Sequence, residues 1–540
     1  MRPSRSFDQN AATVDSSAPQ DVGEQSTVVT GEAAAPGALP RRFRRNVITT
    51  YLSTAASAGQ VLVITPILVH GLGPERYGVW ALVGSIGLFA NLFDLGLGSA
   101  TIRFVAQHEG RGERSLTVLT ISASFWLLVA LGSVVILVGG VVATIFPSAF
   151  PTQGQDTAAQ LLVILVALDV AFGIVGATFQ GYLGGMQQYS LLNAIIIGTV
   201  LAQAVAFAVV LLLGGKLVAL GIALLTVGVL EEISRFVATR RHFPELSLSP
   251  RLVDRVHIKR LLGMSFWISS THLSATIRYR IDTIIVGAMV GIRAAGVYAV
   301  GQLLFIMADR FTEPLLTGFL PHAADLAGRG ETARLGDTVV AGTRIGLAAG
   351  GPICVTAILL ARPAIHAWVG PGFDGARLVV VYLLSALLLR TVTRAGMRVL
   401  EGSAKYRIVT VLVWSEALLN LTLSVILARW IGLAGVALAT LISAASVSIA
   451  IGIPVLCRVF DISATTFVLS IVRAHIPAIA AAFAVAWLIS PSNDSGLVTV
   501  LASGAAIGLA YLLTLSVTEL TRAERLRLRA VGLRLAGRAP

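Results

Sequence analysis

The chain has 540 residues, 55% hydrophobic and only 13% charged, where soluble globular proteins carry about 25% charged residues, and its mean hydropathy of +0.82 excludes a soluble fold. The formal net charge of +13 does not imply nucleic acid, because the basic residues fall in short runs between apolar spans and not on one folded module.

Residues 1–40 are rich in Ala, Ser, Pro, Gln, Thr and Glu without an apolar run. They bury too little surface to offset the cost of ordering and are expected to form a disordered cytoplasmic tail. They do not form a signal peptide, since the first long apolar run follows only after Arg41-Arg42-Phe43-Arg44-Arg45. Runs long enough to cross about 30 Å of hydrocarbon then lie near 47–70, 78–104, 117–145, 161–183, 189–213 and 217–239. After a polar stretch, a second set lies near 261–290, 295–322, 338–366, 376–400, 406–430 and 432–457, and two more near 474–490 and 496–518. The fold class expected is therefore an all-α polytopic membrane protein with 14 transmembrane helices. Its domains are a tail (1–40), a first lobe (41–239), a cytoplasmic linker (240–260), a second lobe (261–457), an extra pair of helices (458–518) and a basic cytoplasmic amphipathic tail (519–540). That last segment alternates Arg with Leu, as a helix lying on an anionic leaflet does. Cys354 and Cys457 fall in different spans and give neither a disulfide framework nor a metal spacing.

Gly73 to Glu113 returns without a gap, 218 residues later, as Gly291 to Glu331, and both copies close on Gly-Arg-Gly-Glu. Such self-similarity marks structural halves that move against each other. The copies begin before spans 2 and 8, so two six-helix lobes enter the membrane in the same direction, related by a pseudo-twofold along its normal. When the spans are threaded alternately, Lys and Arg collect on one side at about four to one, which places both termini in the cytoplasm.

Leu72-Gly73-Pro74-Glu75-Arg76-Tyr77-Gly78-Val79-Trp80, Asp94-Leu95-Gly96-Leu97-Gly98-Ser99-Ala100 and Arg103-Phe104-Val105-Ala106 resemble the second-span signature of the Wzx-type polysaccharide flippases. These belong to the MATE-like MOP exporter superfamily, and Gly296-Val297-Tyr298 resembles that family's equivalent turn. The resemblance covers spans 1 to 12. It implies inner-membrane passage of an undecaprenyl-pyrophosphate-linked glycan by alternating access, for cell-surface polysaccharide such as the O-antigen of lipopolysaccharide. It also implies membrane lipid as a partner, with polysaccharide polymerase and glycosyltransferases as further candidate partners.

The ionisable residues inside the spans suit an anionic cargo. Span 7 carries Arg278, Arg280 and Asp282; span 8 carries Asp309, Arg310 and Glu313; span 10 carries Arg390 and Arg394, with Arg398 near its end. A charge at such depth costs at least about 2.5–3.5 kcal/mol, so it faces a wet cavity or a partner. The planar guanidinium holds two phosphate oxygens at once. Gln60 and Asn91 stand at the repeat-equivalent positions of the first lobe and complete the candidate substrate pathway. Asp94, Asp169 and Glu416 are the candidates for ion coupling. The competing reading is structural: Asp282 can neutralise Arg278 one turn away, Asp309 or Glu313 can neutralise a neighbouring arginine, and Arg398 can snorkel.

No nucleotide loop, zinc pair or nucleophile elbow occurs. The chain is read as a transporter without cofactor or metal, not an enzyme, driven by an ion gradient, the membrane potential or removal of product. Alternatives are a cation-coupled multidrug antiporter of the MATE type, a relative of the lipid II flippases, and a non-transporting scaffold for envelope synthesis.

Overall fold

The computed structural model describes residues 41–90, 94, 96–152, 154–252, 258, 281–489, 491–492 and 495–518. Among these residues the fold is all helical. In a bilayer every backbone N–H and C=O needs an internal partner, and helices provide it within a single segment.

The first half comprises α1 (Arg41–Ala90), α2 (Leu97–Gly110), α3 (Arg114–Ala149), α4 (Asp156–Gly185), α5 (Tyr189–Leu212) and α6 (Leu217–His242). Residues 281–289 are helical. They are followed by α7 (Ile292–Leu316), α8 (Phe319–Gly328), α9 (Thr332–Leu359), α10 (Ala361–Val369), α11 (Ala376–Gly402), α12 (Tyr406–Ile431), α13 (Leu433–Ala445) and α14 (Ile453–Val459). The final pair is α15 (Ala464–Ile489) and α16 (Leu497–Thr518). Tyr511 on α16 lies within hydrogen-bond reach of His475 Nδ1 on α15, at 2.8 Å, and its hydroxyl fills the space that a side chain at Gly351 would occupy. That contact fastens the pair to α9.

Twelve helices among the described residues are long and apolar enough to cross a membrane. The 14 spans expected include one over 261–290, whose first part lies outside the described residues. The apolar stretch Ile48–Ala90 has 43 residues. At 1.5 Å per residue that is about 64 Å, twice the thickness of the hydrocarbon core. It turns at Gly73, whose φ of 73° and ψ of 168° only glycine adopts without strain. Gly291, the first residue of the second copy, has a φ of 124°. Both copies of the repeat thus open on a glycine for the same backbone reason.

Two spans expected to be continuous are interrupted. The span near 78–104 is broken at Gly96, which is left-handed and precedes α2; Asp94 Oδ1 accepts the Gly98 N–H at 3.2 Å. The span near 295–322 breaks between α7 and α8 at Thr317 and Gly318, where Pro321 has no N–H to give the Thr317 carbonyl.

The halves meet at the end of the bundle that carries these opening glycines. A Cβ placed on Gly78 would lie 2.2 Å from the carbonyl oxygen of Ile292, and one on Gly296 would lie 3.0 Å from the Cα of Gly78. Gly78 and Gly296 are repeat equivalents, so the chain crosses its own copy here. Tyr77 and Phe373 meet edge to face at 6.0 Å, Arg293 stands 3.9 Å from Glu75, and Trp368 Nε1 donates to the Leu62 carbonyl at 2.8 Å. Tyr77, Val79, Leu82 and Val83 share one buried core with Val286, Ile292, Ala295 and Val297.

Candidate functional site

Asp309 and Glu313 are four residues apart on α7 and therefore share one face, which α11 meets with Arg394 and Arg398, also four apart. Arg394 Nη2 donates to Asp309 Oδ1 at 2.7 Å and Arg394 Nη1 to the Thr312 hydroxyl at 3.2 Å. Arg398 donates to Glu313, and its other nitrogen reaches Glu401 at 2.9 Å. One turn further along α11, Arg390 Nε donates to Glu416 on α12 at 2.5 Å, with both side chains over 90% buried. The result is a ladder of charge-assisted bonds inside the second half. Removing one partner of such a pair strands a buried charge and costs about 3–5 kcal/mol.

Asp282 is fully buried behind this ladder. Its Oδ2 accepts from the Tyr298 hydroxyl at 2.8 Å and from Thr440 at 3.0 Å, and its Oδ1 accepts from Ser424 at 3.5 Å. Asn420 Nδ2 donates to the Thr440 hydroxyl at 2.8 Å. A carboxylate held by three hydroxyls from three helices braces them against one another.

Arg310 differs from every other described arginine of the candidate pathway. It follows Asp309 by one residue, so it points about 100° away from the ladder. Its side chain is exposed, and it makes no hydrogen bond or ion pair among the described residues. Arg278, Arg280 and Asn91 lie outside the described residues.

In the first half, Gln60 Nε2 on α1 donates to Gln203 Oε1 on α5 at 2.7 Å. Asp94 is occupied in capping α2. Asp169 on α4 faces a cavity of about 270 Å³ lined also by Thr199, Gln203, Glu231 and Glu232, which adjoins a second of about 180 Å³ lined by Trp80, Gly84 and Asp169. Arg235 bonds both Glu231 and Glu232, the latter at 2.6 Å. The carboxylates fit because α4 and α6 carry glycine opposite them: a Cβ on Gly228 would meet Asp169 at 2.1 Å, and one on Gly176 would meet Glu232. Among the described residues Asp169 has no hydrogen-bond or ion-pair partner. The cavity thus offers carboxylate, amide and hydroxyl oxygens, which suit a cation or a hydroxylated ligand.

Sequence reasoning missed Glu231, Glu232 and Arg235, although three ionisable residues within five positions of an apolar run are a visible signal. It also missed Tyr298, Ser424 and Thr440, which are neutral and leave no mark in a search for charge. No group of His, Cys, Asp and Glu that would hold a metal ion occurs among the described residues.

Residues 43–326 match the family model described as "Polysaccharide biosynthesis protein". The chain belongs to this family. Over 117 residues it is 29% identical to a "Putative O-antigen transporter" of Shigella flexneri, a match spanning 21% of this chain and 28% of that protein. The fold is similar to that of "Lipid II flippase MurJ, inward closed conformation", with a TM-score of 0.63, 15% identity, and 87% of this chain and 98% of that one covered. It is equally similar to the "Inward-facing conformation of a multidrug resistance MATE family transporter of the MOP superfamily", with a TM-score of 0.63, 14% identity, and 78% and 99% covered. This family member therefore has the MOP fold and is an integral membrane protein.

Proposed function

We propose that this family member flips a polyprenyl-pyrophosphate-linked oligosaccharide across the bacterial cytoplasmic membrane by alternating access, for assembly of a cell-surface polysaccharide by glycosyltransferases and a polymerase. The observation that carries this reading is Arg310. A guanidinium inside a membrane span with no partner among the described residues is too costly to leave facing lipid, while Arg390, Arg394 and Arg398 are answered by carboxylates of their own half. A diphosphate supplies the missing counter-charge, and its oxygens match the fork of Arg. Family membership and the O-antigen transporter match support a glycan cargo. With both termini cytoplasmic, as the Lys and Arg bias favours, the end at which Gly78 meets Gly296 is the outer one, and this conformation is closed outward.

Of the three candidates for ion coupling, Asp169 is favoured. Glu416 is engaged by Arg390 and Asp94 caps a helix, whereas Asp169 faces the first-half cavity without a partner among the described residues. The same cavity favours a second reading, export of cationic compounds. Proteoliposomes offered a fluorescent prenyl-pyrophosphate oligosaccharide and, separately, a cationic dye decide between them. Flux of the glycan lipid and not of the dye is expected; dye flux alone would replace the first reading with the second.

A further inference from the structure

On α2 the exposed positions are Ser99, Arg103, Ala106, Gln107 and Gly110. At 100° per residue they fall within one arc of about 100°. No large apolar side chain of this helix is exposed, whereas α5 exposes Leu201, Val205, Val209 and Leu212. A lipid-facing stripe reads like that of α5, so the open face of α2 borders water. Arg103 lies about 10 Å, seven residues, inside the Gly110 end of its helix. It makes no hydrogen bond or ion pair among the described residues.

The repeat gives a control within the same chain. The equivalent positions on and before α8 are Thr317, Pro321, Ala324, Asp325 and Gly328, and all are exposed as well. There the only charge is Asp325, paired with Arg329 at 2.9 Å, and proline stands where the first half has Arg103. Both halves thus keep a watered face at this end of the bundle, opposite the end where they touch, but only the first half arms it with a cation.

We infer that Ser99, Arg103 and Gln107 form a phosphoryl-docking stripe on the first half, which takes the pyrophosphate of the cargo from the cytoplasmic side before Arg310 of the second half receives it. This rests on the flippase reading above. The fork of Arg103 grips two oxygens, and the hydroxyl and amide one turn to either side donate to the remainder. Arg103 and Arg310, one in each half and each without a partner among the described residues, give the head group successive holds while the halves exchange positions.

The test uses the full chain in phosphatidylcholine nanodiscs, with inorganic pyrophosphate and geranylgeranyl pyrophosphate as probes. Arg103→Ala is expected to weaken both by at least about tenfold, or 1.4 kcal/mol, with Arg103→Lys intermediate. Gln107→Glu, at an exposed position that tolerates the change, is expected to weaken both by repulsion with an unchanged melting temperature. Affinities within about twofold of wild type in Arg103→Ala and Gln107→Glu would overturn the inference. If Arg310→Ala then loses binding, the flippase reading survives that failure; glycan-lipid flux absent from wild type would sink the reading itself. In nanodiscs containing phosphatidylglycerol, pyrophosphate affinity that still depends on Arg103 supports cargo docking. Loss of that dependence, with anionic lipid occupying the stripe, overturns it.

Discussion

The indole N–H of Trp368 donates, at 2.8 Å, to the carbonyl of Leu62, the carbonyl four residues before Pro66 and thus the one that proline deprives of its helical donor. A defect in a helix of the first half is completed by a side chain of the second. A backbone carbonyl without a donor inside a bilayer costs several kcal/mol, so the bond favours the arrangement in which the halves touch. Trp368→Phe keeps the ring and removes the donor. Spin labels at Glu75 and Arg293 should report a larger fraction of separated halves; an unchanged distance distribution would show that the bond does not hold this end closed.

Gly78→Ala tests the same end sterically. Its Cβ would lie 2.2 Å from the Ile292 carbonyl oxygen, backbone against backbone, which no rotamer relieves. The halves should fail to close there, and cysteines at Glu75 and Arg293, which crosslink in an otherwise wild-type chain, should not crosslink in the variant. Flux should fall with them. Efficient crosslinking in Gly78→Ala would place the contact outside the transport cycle.

The ion ladder is expected to support stability and not cargo. Asp309→Ala removes the 2.7 Å partner of Arg394 and leaves it the longer 3.4 Å pair with Glu313, so thermal stability in detergent should fall by about 1–3 kcal/mol. The paired replacement Asp309→Leu with Arg394→Met removes both charges together and should recover most of it. A double variant as unstable as the single one would mean that the two residues answer to other partners.

Asp169→Asn separates coupling from packing. The amide nearly preserves volume but cannot exchange a proton. Glycan-lipid flux driven by an imposed gradient should fall to the rate without a gradient, while Glu416→Gln should instead destabilise the protein by loosening Arg390. A gradient response retained in Asp169→Asn would exclude it from coupling.

Much of the architecture was legible in the sequence, because apolar length and the repeat are properties of the chain itself. The repeat was visible as paired residues, but that Gly73 and Gly291, which open each copy, sit at φ of 73° and 124° is a finding of the structure alone. The breaks at Gly96 and at 317–318 were not legible, since hydropathy runs through them unaltered. The candidate site was read less completely. Charge inside a span is visible, but whether an arginine meets a carboxylate depends on which helix packs beside it: Arg390, Arg394 and Arg310 look alike in sequence, and among the described residues only the third is left unpaired. Hydroxyl donors such as Thr440 carry no sequence signal of depth at all.

Flux of a fluorescent prenyl-pyrophosphate-linked oligosaccharide through proteoliposomes, compared between wild type and Arg310→Ala at equal reconstitution and equal melting temperature, bears most directly on the role of the unpaired guanidinium. A fall of at least about tenfold is predicted, with partial rescue in Arg310→Lys, which restores the charge without the fork. Flux equal to wild type in Arg310→Ala would contradict the assignment of an anionic head group to this residue.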